Sequence, residues 1–274
     1  GFVDGWGGSL AYTFQLYFDF SGYSDMALGL ALMFGVILPI NFFSPYKATS
    51  IIDFWRRWHI TLSQFFRDYV YVPLGGSSKG FAAQVVNLFV VMVLVGFWHG
   101  AGWTFIAWGC YHGVLLALAH FYKQSAFNQV SQLAINKRAK LKPLFWALTF
   151  FAVVCGWVLF RATSFQVAAS VLSGMFFMNG FATGHANYDL FDAYVNYGLI
   201  SIGFIIVLTL PNSFQLLPIR YRAAHQSKYG FSGGLARKSK IKINFQWMLV
   251  TACLFYGCLS SIQSATSKFL YFNF

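Results

Sequence analysis

Apolar residues collect in blocks near 26–40, 83–98, 103–121, 144–160, 198–211 and 245–260, with further candidates from Leu10 to Phe20 and from Phe165 to Met178. Several blocks approach the roughly 17 apolar residues that a helix needs to cross a bilayer. No block alternates polar and apolar positions in units of about ten, the signature of a membrane barrel. The pattern therefore predicts an all-α, polytopic bundle of about five to seven spans, forming a single domain over 1–274. A different periodicity follows Ser50, where Ile51, Trp55, Trp58, Leu62, Phe65 and Tyr69 recur every three or four residues. This stripe predicts one amphipathic helix lying on the membrane surface or packed beneath the bundle. Ser50 is its expected N-cap, and Asp53 and Arg57 are spaced for an ion pair one turn apart.

Composition agrees with the pattern. Of 274 residues, 58% are hydrophobic and only 9% charged, against roughly 25% charged in a soluble domain. The 19 Lys and Arg exceed the 7 acids by 12. Two acid-free loops hold that surplus: Lys123, Lys137, Arg138, Lys140 and Lys142 in one, and Arg220, Arg222, Lys228, Arg237, Lys238, Lys240 and Lys242 in the other. The positive-inside rule makes both loops cytoplasmic. It follows that 161–197, with Arg161, Asp189 and Asp192, is external, that 83–98 runs outward, and that 41–80 lies on the cytoplasmic side. Basic loops flanking membrane helices without a stacking platform do not suit nucleic acid.

All seven acids are Asp, which excludes Glu-dependent zinc and calcium motifs. Cys110, Cys155, Cys253 and Cys258 have no C-x-x-C spacing and read as small buried hydrophobes, so no metal site is expected. Residues 76–80 fit G-x-S-x-G, but without a strand before them the motif carries no weight. The chain opens on Gly1 with no initiator Met or signal sequence, and is expected to be a piece of something longer.

The candidate chemistry concentrates on histidine. His99 ends one apolar block within Gly96-Phe97-Trp98-His99-Gly100, and an ionisable group at membrane depth is costly unless something uses or pairs it. Gly96 and Gly100 form a small-xxx-small pair that lets a helix or a substrate approach the backbone. His59 stands on the amphipathic stripe with Arg56 three residues before it and Ser63 four after, neighbours on a continuous helix. His112 reads as a core histidine. Asp19 and Asp25 read as members of a buried polar network with Arg56, Arg57 or Arg67.

The segments YFDFSGYSDMA (17–27), LPINFFSPY (38–46), DFWRRWHITLS (53–63), RDYVYVPLGG (67–76), GFWHGAGWTFIAWGCYHG (96–113) and WVLFRA (157–162) together resemble the membrane-bound O-acyltransferase family. They are most similar to its bacterial alginate O-acetyltransferase subgroup, which includes peptidoglycan acetylases and teichoic-acid D-alanine transferases, and FLYFNF (269–274) looks like that subgroup's C-terminus. The resemblance implies further N-terminal membrane helices, a multi-pass place in the bacterial inner membrane, and catalytic roles for His99 and His59. Trp98, Arg56, Arg57, Asp19, Asp25 and Ser63 are expected in support. It also implies an acyl donor as co-substrate (acetyl-CoA, an acyl carrier protein or another protein-carried acyl group) and no bound cofactor. The expected acceptor is a polysaccharide such as alginate, with peptidoglycan or teichoic acid as alternatives, served by periplasmic or extracellular partner proteins. A non-catalytic transport or assembly subunit of an exopolysaccharide machine is the rival class.

Overall fold

A helix has its backbone polar groups satisfied internally, so the apolar blocks can face lipid only as helices. The computed structural model, which describes residues 1–127, 140–181 and 190–216 together with Leu249 and Cys253, has them in that form. Helix α1 runs Phe2–Met33, so the block at 10–20 and the first part of the block at 26–40 are one continuous element, while 34–40 is not helical. The short helices α2 (Ile51–Trp55) and α3 (Ile60–Phe66) follow, then a π turn at Arg67–Tyr71. Next come α4 (Phe81–His99), α5 (Trp103–Phe127), α6 (Lys142–Arg161), α7 (Phe165–Met175), α8 (Leu190–Thr209) and α9 (Ser213–Leu216). Among the described residues, three helices are long and apolar enough to cross a membrane: Phe81–His99, Trp103–Gln124 within α5, and Lys142–Arg161. The block 245–260 apart from Leu249 and Cys253, the basic loop 220–242, positions 128–139, Asp189, Cys258 and the terminal FLYFNF lie outside the described residues.

The chain divides into two compact units, the first formed by 1–21 and 40–210, the second by 22–39 and 211–274. In the first unit, α4 and α5 make a close antiparallel hairpin. Gly96 rests against the Phe105 carbonyl and Gly109, while Gly109 in turn rests against the Met92 carbonyl. Any Cβ at either position would collide with backbone, so the small residue is a condition of that approach. Gly96 thus serves helix packing, whereas Gly100, paired with it in the sequence reading, lies past the helix end. On α6, Val153, Val154 and Trp157 are buried, while Leu144 and Leu148 are exposed. In the second unit, the Asp25 carboxylate hydrogen-bonds Ser213.

The predicted continuous helix over 51–69 is instead two helices. Ser50 caps α2 as expected, its hydroxyl accepting from the Asp53 amide at 3.1 Å, and Arg57 Nε reaches Asp53 at 2.8 Å. The break falls at His59, whose backbone is left-handed at φ 42°, ψ 56°. The break rotates the second half, so Phe65 and Tyr69 are exposed while Phe54, Trp58, Ile60 and Phe66 are buried. The turn between the two helices is packed into the bundle, with Trp58 on Trp157 of α6 at 4.8 Å between ring centroids. Of the cysteines, Cys155 is buried and Cys110 half-buried, but Cys253 is exposed, contrary to expectation.

Candidate functional site

The end of α4 and the break before α3 meet at one aromatic cluster. Gly100 terminates α4 at φ 156°, and a Cβ there would also fall 2.8 Å from the Phe105 ring, so both backbone and space call for glycine. His99 is consequently the last helical residue, half-buried among rings. Trp98, Trp108 and Phe160 lie at 4.9, 5.3 and 4.9 Å between centroids, all edge to face. Among the described residues no protein group hydrogen-bonds either ring nitrogen of His99. Its position is fixed by packing, and both nitrogens remain available to a ligand.

His59 reaches the same cluster from the other side. Its ring contacts Phe20 at 4.8 Å and Trp98 at 6.4 Å, so Trp98 touches both histidines while itself being 53% exposed. The amide of Thr61 and its hydroxyl both donate to Asn41 Oδ1, at 3.3 and 2.5 Å. That atom is thereby identified as an acceptor, and the His59 Nδ1 lying 3.3 Å from it must carry the proton. Nε2 is then the free lone pair. Burial first, and the neighbouring His99 second, push the His59 pKa down to about 3. The ring is neutral at physiological pH. Its left-handed backbone has a local consequence as well, since it detaches the side chain from the helical face that Arg56 and Ser63 would otherwise share with it.

The remaining candidates separate. Arg56 and Ser63 line a cavity of about 270 Å³ with Arg67, Gln84 and His120, walled by apolar groups such as Met92 and Val95. His59 is not part of that wall. Arg57 is engaged by Asp53, by the Phe43 carbonyl at 3.4 Å and by the Phe43 ring at 5.9 Å. Arg67 pairs with Asp68. Asp19 therefore forms no ion pair with Arg56, Arg57 or Arg67 among the described residues. Sequence reading also missed Asn41, whose role depends on a contact between residues 18 apart that no periodicity encodes. His112 is fully buried at 0% exposure, its Nδ1 accepting from Trp55 Nε1 at 3.4 Å. Among the described residues its Nε2 has no hydrogen-bond partner.

Three long apolar helices and a histidine pair joined by one half-exposed tryptophan define a multi-pass helical membrane protein with a histidine-bearing cluster at one end of its bundle. Residues 2–125 match the profile of the membrane-bound O-acyltransferase family. Similarity to individual proteins extends further. The chain is 40% identical to the peptidoglycan O-acetyltransferase of Helicobacter pylori over 276 residues, covering 100% of this chain and 50% of that protein. It is 38% identical to the probable alginate O-acetylase AlgI of Pseudomonas putida over 275 residues, covering 99% of this chain and 53% of that protein. With the teichoic acid D-alanyltransferase of Streptococcus thermophilus it shares 36% identity over 146 residues, 48% of this chain and 33% of that protein. The chain belongs to the membrane-bound O-acyltransferase family and spans about half the length of the curated relatives that it matches throughout.

Proposed function

We propose that this chain carries the active site of an O-acyltransferase of the bacterial inner membrane that moves an acyl group, acetyl in the first instance, onto hydroxyls of a cell-surface polysaccharide such as alginate. The observation that supports this reading best is His99 itself: a half-buried imidazole, held by rings and with both nitrogens uncommitted. A sugar hydroxyl is a poor nucleophile at neutral pH, and a positioned neutral imidazole that takes its proton contributes roughly 10²–10⁴ in rate. His99 accepts the hydroxyl proton as the oxygen bonds to the acyl carbonyl carbon. The tetrahedral intermediate then breaks its bond to the donor sulfur, and the released thiolate takes up the proton.

His59 works on the donor side. With Nδ1–H directed at Asn41, its Nε2 accepts a hydrogen bond, which suits orientation of an amide N–H of the donor better than polarisation of its carbonyl. Among the described residues Arg56 pairs with no carboxylate and lines the neighbouring cavity, so it is the arginine suited to acidic groups of an incoming donor such as acetyl-CoA or an acylated carrier protein. Arg57, already paired with Asp53, is better suited to holding α2. Periplasmic or extracellular proteins that handle the polymer complete the proposed system.

The test is His99→Gln in the full-length protein, followed by acyl analysis of surface polysaccharide and by transfer of labelled acyl groups with purified protein in bilayers. Loss of both with normal expression supports the reading. Retention of both His99→Gln and His59→Gln activity, with loss only on deletion of the protein, points to an assembly or transport subunit instead.

A further inference from the structure

A second cavity, of about 340 Å³, opens between the N-terminal part of α1 and the start of α7, beside the last turn of α6. Its wall includes Asp4, Gly8, Tyr12, Trp157, Arg161 and Thr163. This is the end of the bundle where α4 also finishes, since Phe160 of α6 touches the His99 ring and the Thr104 hydroxyl bonds the Ala162 carbonyl at 3.1 Å. Trp157 and Phe160, 5.6 Å apart between centroids, form the partition between the cavity and His99.

Three features of the wall point to a ligand. Tyr12 is 8% exposed, yet among the described residues its hydroxyl has no hydrogen-bond partner. An unpaired buried hydroxyl is destabilising, and a ligand supplying a partner would offset that cost. Arg161 lies with its guanidinium 5.8 Å from the Tyr12 ring centre and, among the described residues, forms no ion pair. Gly8 leaves the space open, because a Cβ there would meet nothing within 4 Å. The chemistry of the set is mixed. A simple anion would leave the wall at Trp157 uncovered, and an apolar molecule would leave both the Tyr12 hydroxyl and Arg161 unsatisfied. A sugar bearing a carboxylate fits both, with ring hydroxyls for Tyr12 and Thr163, an aromatic wall at Trp157, and an anionic substituent for Arg161.

We infer that this cavity binds a carboxylate-bearing sugar unit of the acceptor polymer, Arg161 pairing with the carboxylate and the Tyr12 hydroxyl bonding a ring hydroxyl. The inference rests on the transferase reading for the meaning of "acceptor", and its test is a binding measurement that does not require transfer. The full-length protein in lipid nanodiscs is titrated with an alginate trisaccharide and with the same trisaccharide after carboxyl reduction. Wild type is expected to bind the acidic form. Arg161→Gln, Tyr12→Phe and Gly8→Leu are expected to bind it about tenfold more weakly, and the reduced form is expected to bind weakly to all of them. Gly8→Leu fills the cavity from an open helical position, and Arg161→Gln changes an exposed side chain, so the two do not share a route to misfolding.

Absence of wild-type binding, or equal binding by Gly8→Leu and Arg161→Gln, overturns the site. If the binding pattern appears but no acyl transfer can be found in wild type, the site stands and the transferase reading falls. If transfer proceeds in Gly8→Leu and Arg161→Gln with the wild-type KM for acceptor, the reading stands and the site falls.

Discussion

Trp108 separates two histidines, one read from the sequence as a catalytic candidate and the other as part of the core. On one side, at 5.3 Å between centroids, is His99; on the other, at 5.1 Å, is His112. The same tryptophan supports both rings, yet their surroundings differ in access and in what the nitrogens do. His112 is sealed in, accepts from Trp55, and has Gly156 pressed against its Nε2. His99 is half-open and engaged by ring contacts alone. The two sides teach that burial to completion makes a histidine part of the packing, while burial stopped at the helix end leaves it usable. Gly100 is the residue that stops it, by ending α4 immediately after His99.

The sharpest way to break this comparison is to remove each side. His99→Ala is expected to lower acyl transfer by about 10²–10⁴ with little change in thermal unfolding, as for loss of a general base. Gly156→Ala is expected to do the reverse. Its Cβ would fall 2.6 Å from His112 Nε2 and 3.4 Å from the Tyr111 ring, an overpacking that costs about 1–3 kcal/mol of stability. Transfer per folded molecule should stay within about tenfold of wild type, the factor worth 1.4 kcal/mol. A Gly156→Ala protein with normal stability and no activity would show that His112, and not only His99, belongs to the chemistry.

Asn41 tests the same contrast from the side of His59. Asn41→Asp places a carboxylate opposite the Nδ1–H of a ring that is now neutral because burial holds its pKa near 3. The added charge favours the imidazolium and raises that pKa toward the ordinary value of about 6.5. Transfer by the variant should therefore fall on the acid side, about tenfold at one pH unit below its new pKa, whereas wild type shows no loss attributable to His59 between pH 6 and 8. Stability follows the same sign. A folded-state pKa below the unfolded one means that the unfolded chain binds more protons, so wild-type stability declines as pH falls from about 6.5 toward 3. His59→Gln should flatten that decline, read by denaturation at pH 7 and pH 4.

Much of this architecture is legible along the chain because helices have a period. The spans at 83–98, 103–121 and 144–160 correspond to α4, α5 and α6 within a few residues at each end, and the cap at Ser50 and the Asp53–Arg57 pair follow from spacing alone. The stripe over 51–69 misled because periodicity presumes an unbroken helix, and nothing in Trp58-His59-Ile60 announces a left-handed residue. Arg56 and Ser63 parted from His59 for that reason. Asn41 was illegible because its partners His59 and Thr61 belong to another element. Asp19 was assigned an arginine by charge alone, but Asp53 and Asp68 are local to Arg57 and Arg67 and took them first. Local pairing wins because it orders less chain for the same contact.

The smallest effect separates packing from positioning most finely. Ser50→Ala removes the hydroxyl that accepts from the Asp53 amide at the start of α2. Ser50 is already extended, at φ −157° and ψ 156°, so the substitution introduces no strain and isolates the lost hydrogen bond. Loss of such a cap costs about 1 kcal/mol. Helix α2 has only five residues, and it delivers buried Phe54 to the face of Trp58 and, through the turn, His59 to Trp98. Because Phe54 and Trp58 remain packed on Trp157, the fraying should stay at the first turn and leave His59 in place. Thermal unfolding should shift downward by a few degrees, with the KM for the donor unchanged. A rise in that KM without a shift in unfolding would mean that the start of α2 sets the His59 geometry directly, and the line drawn between the sealed interior and the working rim would have to move outward to include it.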